Sequence, residues 1–303
     1  MSGSFLATVS ALRAAGEPTR LRLLALLARA ELTVGEICEI VNQSQPRVSR
    51  HLKVLSDAGL LDRFREEHWV YYRVPVQGPA RELVGQLLSL MTQDDEVLGR
   101  DRRRMEQVIA ERAQRAAGQL PQTAIAKPPE LVEAIVTREL ADRPVGALLD
   151  VGTGSGHLLE LLAPRATRAV GIDISSDALR LARTNVHGAG LSHCELQQGS
   201  VYDLPFAPAT FDTATVDRML ATADRPLLAL AEIARALKPS GRLFVIEDFD
   251  ALGDAVDANP ITTLREWFAR SGFECLRVHP IDAEGAHLLV AIGERVGTSS
   301  AAA

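Results

Sequence analysis

The chain has 303 residues, enough for two domains at roughly 150 residues each, and an ordinary globular share of apolar and charged side chains. No apolar run approaches the ~20 residues of a membrane span and no basic stretch opens a signal peptide. Three scattered cysteines (Cys38, Cys194, Cys275) suit reduced thiols in a cytoplasmic protein with no membrane partner. The net charge of −6 argues against nucleic acid for the chain as a whole. Residues 1–75, however, hold ten Lys and Arg against eight Asp and Glu, while the remainder holds twenty-three against thirty-one. Any nucleic-acid surface therefore belongs to the first part.

Helical spacing of Phe5, Leu6, Val9 and Leu12 predicts a first helix over 4–15, closed by Gly16. Pro18 opens a second, PTRLRLLALLAR, where its missing N–H is not needed. Thr33 caps a third, VGEICEIV, and Ser44 a fourth, QPRVSRHLKVLSDAG, closed by Gly59. The runs LLDRFR and WVYYRV, joined by EEH, read as a hairpin. Residues 78–118 read as helical with a break at 92–94, after which Asp94 and Asp95 favour a new start. The Pro-bearing QLPQTAIAKPPE, 119–130, is the expected domain linker, and GTSSAAA reads as a disordered tail. From 131 onward helices and strands alternate, which predicts a mainly parallel sheet covered on both faces. The expected boundaries are a first domain over 1–77, a helical dimerisation and linker region over 78–130, a second domain over 131–295 and a tail over 296–303.

In SQPRVSRHLKVL, Val48, Leu52 and Leu55 share one helix face and pack inward. Gln45, Arg47, Ser49, Arg50 and Lys53 fall elsewhere, and Ser44 and His51 complete the candidate DNA surface. Gln, Arg and Ser in the first two turns reach base edges or phosphates when a helix N-terminus enters the major groove. The hairpin sets Arg63, Arg65, His68 and Arg73 around its tip and edges, as a wing over the adjacent DNA backbone. Over residues 4–75 these features, with their GLL and YYRV neighbours, resemble the ArsR/SmtB family of winged-helix regulators. The resemblance implies a homodimer paired through the first helix and a helix after the wing, double-stranded operator DNA as partner, and repression relieved by a ligand. Metal-sensing members carry Cys-x-Cys on the third helix. Here ELTVGEICEI holds the single Cys38, which cannot build a soft thiolate site and reads as a small core residue, so no metal site is expected.

In LLDVGTGSGHLLELL an apolar strand ends at Asp150. Gly152, Gly154 and Gly156, with Thr153 among them, let the backbone turn tightly against a ligand. A dinucleotide fingerprint would need glycine at 157, where His157 stands, and no Lys-Ser/Thr pair makes a P-loop. The next strand, AVGIDIS, carries Asp173 at its tip, where an acid accepts hydrogen bonds from ribose hydroxyls. With GSVYDLPFAPATFD and ALAEIARALKPSGRLFVIED, these stretches resemble the UbiE-like branch of class I S-adenosylmethionine-dependent methyltransferases over about 131–293. That resemblance implies that Asp150 and the Gly152–Gly156 loop hold the amino-acid end of the cofactor. It also implies that Ile174 packs on the adenine, Ser200 and Val201 flank its edge, and Asp217 lies beside the reactive sulfonium.

UbiE-like members often carry a histidine after the fourth strand. DRMLATAD has Ala221 and Thr222 there, and neither is a general base. QLPQTAIAKPPELVEAIV has no aromatic residue to cover a substrate, and DFDALGDAVDANP is short and acidic. DNA methylation is not expected: TVDRML lacks the Pro-Pro-aromatic grip, Pro128–Pro129 stands in the linker, and no cysteine follows a proline. The expected fold is an α/β multidomain chain with an N-terminal winged helix–turn–helix, a helical linker and a C-terminal Rossmann-like class I methyltransferase domain. The expected function is a dimeric repressor whose second domain binds S-adenosylmethionine or S-adenosylhomocysteine as a regulatory ligand, with the helices of 78–118 passing the signal. The alternative is an active small-molecule methyltransferase tethered to a DNA-binding domain.

Overall fold

A computed structural model describes residues 5–92, 95–120, 130–140, 143–283 and 285–297. Most of the expected linker, the 93–94 break and the end of the tail lie outside those residues. The chain divides into two units, residues 1–119 with 183–193, and residues 120–182 with 194–303.

The first unit opens with α1 (Phe5–Ala15) and α2 (Pro18–Leu27), the latter capped by the Glu17 carboxylate on the Arg20 N–H. A two-residue strand β1 (Leu32–Thr33) leads into α3 (Val34–Val41). Thr33 and Glu36 exchange side-chain and backbone bonds in a full capping box there. Helix α4 (Gln45–Asp57) follows from Ser44 and buries Val48, Leu52 and Leu55. The hairpin is β2 (Asp62–Glu66) and β3 (Trp69–Arg73), and β3 also pairs with β1 to make a three-stranded sheet. β1 was not foreseen, because two residues carry no period of their own and exist as a strand only through pairing with Tyr71 and Tyr72. Helices α5 (Pro79–Ser89) and α6 (Glu96–Ala117) complete the unit, α6 starting from the Asp95 cap and packing on α2 and α3. The core joins Leu23, Leu24, Ile37, Ile40, Leu52 and Leu55 to Val84, Met105 and Val108 of the last two helices.

The second unit begins with α7 (Glu130–Glu139) and is built on a seven-stranded sheet. Its strands are β4 (Gly146–Val151), β5 (Ala166–Asp173), β6 (Cys194–Gln198), β7 (Phe211–Asp217), β8 (Leu237–Asp248), β9 (Phe273–Ala283) and β10 (Ala286–Arg295). Their order is β6-β5-β4-β7-β8-β10-β9. β4 to β8 run parallel, and β10 is antiparallel to both β8 and β9. The connecting helices are α8 (His157–Leu162), α9 (Ser176–Gly188), α10 (Pro226–Ala236), α11 (Phe249–Val256) and α12 (Pro260–Arg270). Helix α9 gives its residues from Arg183 onward to the first unit. The short acidic segment DFDALGDAVDANP forms α11. Asp248 caps it through the Ala251 N–H, and Leu252 anchors it in the core. The strand order reverses between β4 and β7, so the ends of β4, β5 and β7 open onto one crevice, where such sheets bind ligands. Among the described residues no helix is long and apolar enough to cross a membrane.

Candidate functional sites

On α4, Ser44, Gln45, Arg47, Ser49, Arg50 and Lys53 are exposed, as their positions between buried Val48 and Leu52 require. Lys53 pairs with Asp57 one turn on, at 2.9 Å. His51 differs from its neighbours: it is half-buried and faces the Glu17 carboxylate at 3.5 Å, so it braces α4 against the start of α2. On the wing, Arg63, Arg65 and His68 are exposed, with Arg65 bonded to the Glu67 carbonyl across the turn at 2.8 Å. Arg73 instead turns inward to Glu31 at 2.8 Å and Asp62 at 3.4 Å. Cys38 is half-buried against the core, and burial raises its thiol pKa.

In the second unit a cavity of about 530 Å³ opens at the ends of β4, β5 and β7, within the range of small-molecule sites. Asp150, Gly152, Thr153, Gly154, Asp173, Ile174, Ser200, Val201 and Asp217 all line it. Gly156 does not. It lies buried behind the loop at φ 79°, its N–H spent on the Thr153 carbonyl at 2.7 Å. Gly152 and Gly154 also have left-handed φ, 68° and 51°, which a side chain resists. That shape turns the Gly152 and Thr153 N–H groups back onto the Ile172 carbonyl at 2.9 and 3.0 Å.

Asp150 is buried, and its two oxygens accept from the Thr153 and Thr215 hydroxyls, each at 2.6 Å. Burial pushes its pKa up to about 6, because hydroxyls compensate a carboxylate less than water does. Asp173 spends one oxygen on the Gly154 N–H at 2.9 Å and the other on the Ser175 N–H at 2.8 Å, and burial raises its pKa too. A carboxylate keeps lone pairs beyond two such bonds, so it has capacity left for ribose hydroxyls. Ile174 stands 74% exposed beside it, a plate for an apolar ring, and the Gln198 amide fixes its carbonyl at 3.0 Å.

At the other end Asp217 is clasped by Arg218, both contacts 2.9 Å, with Arg218 held at φ 50° by its N–H on the Ile246 carbonyl. Beneath this turn lies a group absent from the sequence reading. Glu247, with no exposed surface, accepts from the Met219 and Leu220 N–H groups at 2.9 and 2.6 Å, and burial pushes its pKa up to about 7. It fixes the Met219–Ala221 backbone and so the floor of that end of the cavity. His157, which breaks the dinucleotide fingerprint, also lines the cavity, and its Nε2 meets Glu133 of α7 at 2.7 Å. The left-handed loop, the strand-end acids and the open apolar plate fit a nucleoside with an amino-acid arm, and leave no phosphate cradle.

The family model described as bacterial regulatory protein, arsR family, matches residues 17–63, and the methyltransferase domain model matches 149–245. The arsenical resistance operon repressor of Escherichia coli (strain K12) is 38% identical over 78 residues, covering 25% of this chain and 67% of the repressor. A ubiquinone/menaquinone biosynthesis C-methyltransferase UbiE of Syntrophotalea carbinolica is 38% identical over 112 residues, 36% of this chain and 47% of that protein. An uncharacterized 37.1 kDa protein in transposon TN4556 of Streptomyces fradiae is 35% identical over 124 residues, 40% of this chain and 35% of that protein. The chain therefore spans less than half the length of these last two relatives. A solved putative methyltransferase from Bacillus halodurans aligns with a TM-score of 0.48 at 18% identity, over 55% of this chain and 99% of that one. This chain belongs to the ArsR family of bacterial regulatory proteins and carries a class I methyltransferase domain after its DNA-binding helix–turn–helix.

Proposed function

We propose that the chain is a dimeric repressor whose methyltransferase domain binds S-adenosylmethionine or S-adenosylhomocysteine as a regulatory ligand. The observation that carries this reading is the end of the cavity where an acceptor would react. Arg218 bonds both oxygens of Asp217 in a charge-assisted pair, so a proton drawn from an acceptor would have to compete with that guanidinium. The cradle binds the nucleoside, and the exposed face of α4 with the wing binds operator DNA. A ligand of this kind changes DNA affinity only by its different affinity for the free and DNA-bound protein, typically ~1–3 kcal/mol. Phe5, Leu6 and Leu12 leave apolar surface exposed on α1, and a second copy of the chain covers it in this reading.

One observation favours the alternative of an active small-molecule methyltransferase: His157, oriented by Glu133, lines the cavity and has the chemistry of a general base. Two measurements separate the readings. Titration of promoter DNA with and without nucleoside gives a shift in affinity of about fivefold or more under regulation. A label-transfer assay with S-adenosylmethionine and a metabolite extract gives product lost in His157→Asn under turnover. An operator affinity indifferent to both nucleosides rejects the regulatory reading.

A further inference from the structure

Arg183 of α9 is the bulkiest fully buried side chain among the described residues, and it lies in the first unit. Its Nε donates to Glu31 at 2.6 Å, and a terminal nitrogen donates to Glu66. Its guanidinium sits 4.4 Å from the centre of the Tyr71 ring and 5.8 Å from that of Phe64. Arg73 completes the cluster on the other oxygen of Glu31 at 2.8 Å. Phe64, Glu66, Tyr71 and Arg73 all belong to the two strands of the wing. Four wing residues thus converge around an arginine that lies outside the winged-helix sequence altogether.

Glu66 is the reason this matters for DNA. It is the last residue of β2, adjacent to the turn and between the exposed Arg65 and His68, yet it is only 4% exposed. A carboxylate buried next to a hairpin tip needs a cation to hold it there. Removing Arg183 weakens that hold, and any outward turn of Glu66 turns the strand that carries Arg63 and Arg65 with it, since alternate residues of a strand share a face.

The geometry points to Arg183 as the positioning residue of the wing: by holding Glu66 inward it sets the attitude in which Arg63, Arg65 and His68 meet the DNA backbone.

The test uses the full chain, promoter DNA from upstream of its own gene, and S-adenosylhomocysteine. Arg183→Met is expected to weaken DNA binding on the order of tenfold and to flatten its salt dependence, because wing–phosphate contacts are lost. Arg183→Lys, which keeps the cation, recovers most of both. Nucleoside affinity stays within about twofold, well below the effect of losing a ligand contact. A purely structural role would lower thermal stability and leave the salt slope of the folded protein in place. Should Arg183→Met not fold, Glu66→Gln carries the same expectation with the Glu31 pair intact. Unchanged DNA affinity and salt slope in the folded variant overturn the assignment. If the wild type ignores the nucleoside while Arg183→Met still loses DNA affinity, the sensing reading fails and the positioning role stands. If the wild type responds and Arg183→Met binds and responds identically, the positioning role fails and sensing stands.

Discussion

Glu31 and Glu66 in the first unit are buried beside guanidinium groups, whereas Asp150 and Glu247 in the second accept hydrogen bonds from hydroxyls and backbone amides. The electrostatic outcome is opposite. Burial raises the Glu31 pKa, but Arg183 and Arg73 outweigh it and hold the carboxyl below its usual range. Asp150 and Glu247 have no such partner and are pushed up to about 6 and about 7. Charge neutralised within the chain serves structure. At the Asp150 end of the cavity the acids meet hydroxyls and backbone N–H groups, an arrangement that welcomes a cationic ligand, and both nucleosides carry an α-amino group.

The largest way to break this contrast is to remove the internal cation. Arg183→Met removes a buried guanidinium from Glu31 and Glu66 and is expected to lower the unfolding free energy of the first unit by about 3–5 kcal/mol. Denaturant titration reads it through Trp69, while Trp267 reports the second unit. The counterpart in the second unit acts on ligand rather than fold. Asp173→Asn is expected to weaken nucleoside binding by about 2 kcal/mol, roughly thirtyfold, in calorimetry, with DNA affinity of the ligand-free protein unchanged. On the DNA face, Arg50→Ala is expected to weaken operator binding by about 1–3 kcal/mol if it reads a base. No loss in anisotropy would reject α4 as the reading helix.

Acid sharpens the contrast further. His187, half-buried in the first unit, accepts the Glu31 N–H at 3.4 Å, and desolvation of its ring pushes its pKa down to about 4 from 6.5. Between those values the unfolded chain binds a proton that the folded chain refuses, so the first unit loses stability as pH falls from about 6.5 towards 4. Asp150 and Glu247 run the other way. Their folded forms keep a proton that the unfolded chain releases, so their contribution weakens as pH rises from about 4 to about 7. Urea midpoints followed separately at Trp69 and Trp267 should therefore move in opposite directions between pH 4 and 7. A common direction would contradict the assigned environments. The smallest effect is local: Thr33→Ala removes half of the capping box on α3 and is expected to cost about 1 kcal/mol, read at Trp69.

Local chemistry was legible in the sequence. The Thr33 cap, the Ser44 start of α4, the Asp95 cap and the turn of Gly152 and Gly154 all depend on residues within a few positions of each other. What escaped depends on partners far along the chain. Arg183 reads as an ordinary position in DALRLARTNV, and its carboxylate partners stand 152 and 117 residues away. Glu247 reads as a strand residue in FVIED, and only the fold brings the Met219–Ala221 turn onto it. His51 shares the outward stretch of α4 by sequence, but its position against Glu17 follows from how α2 and α4 pack. Gly156 fits the loop pattern, yet it serves the start of α8 rather than the cavity wall.

Ligand-controlled DNA binding is tested most directly by calorimetric titration of S-adenosylmethionine and S-adenosylhomocysteine into the free protein and into the protein saturated with promoter DNA. Linkage requires any effect of nucleoside on DNA to return as an equal effect of DNA on nucleoside. A regulatory site gives at least one nucleoside whose dissociation constant differs between the two titrations by about fivefold or more. Equal constants for both nucleosides, with and without DNA, would contradict it.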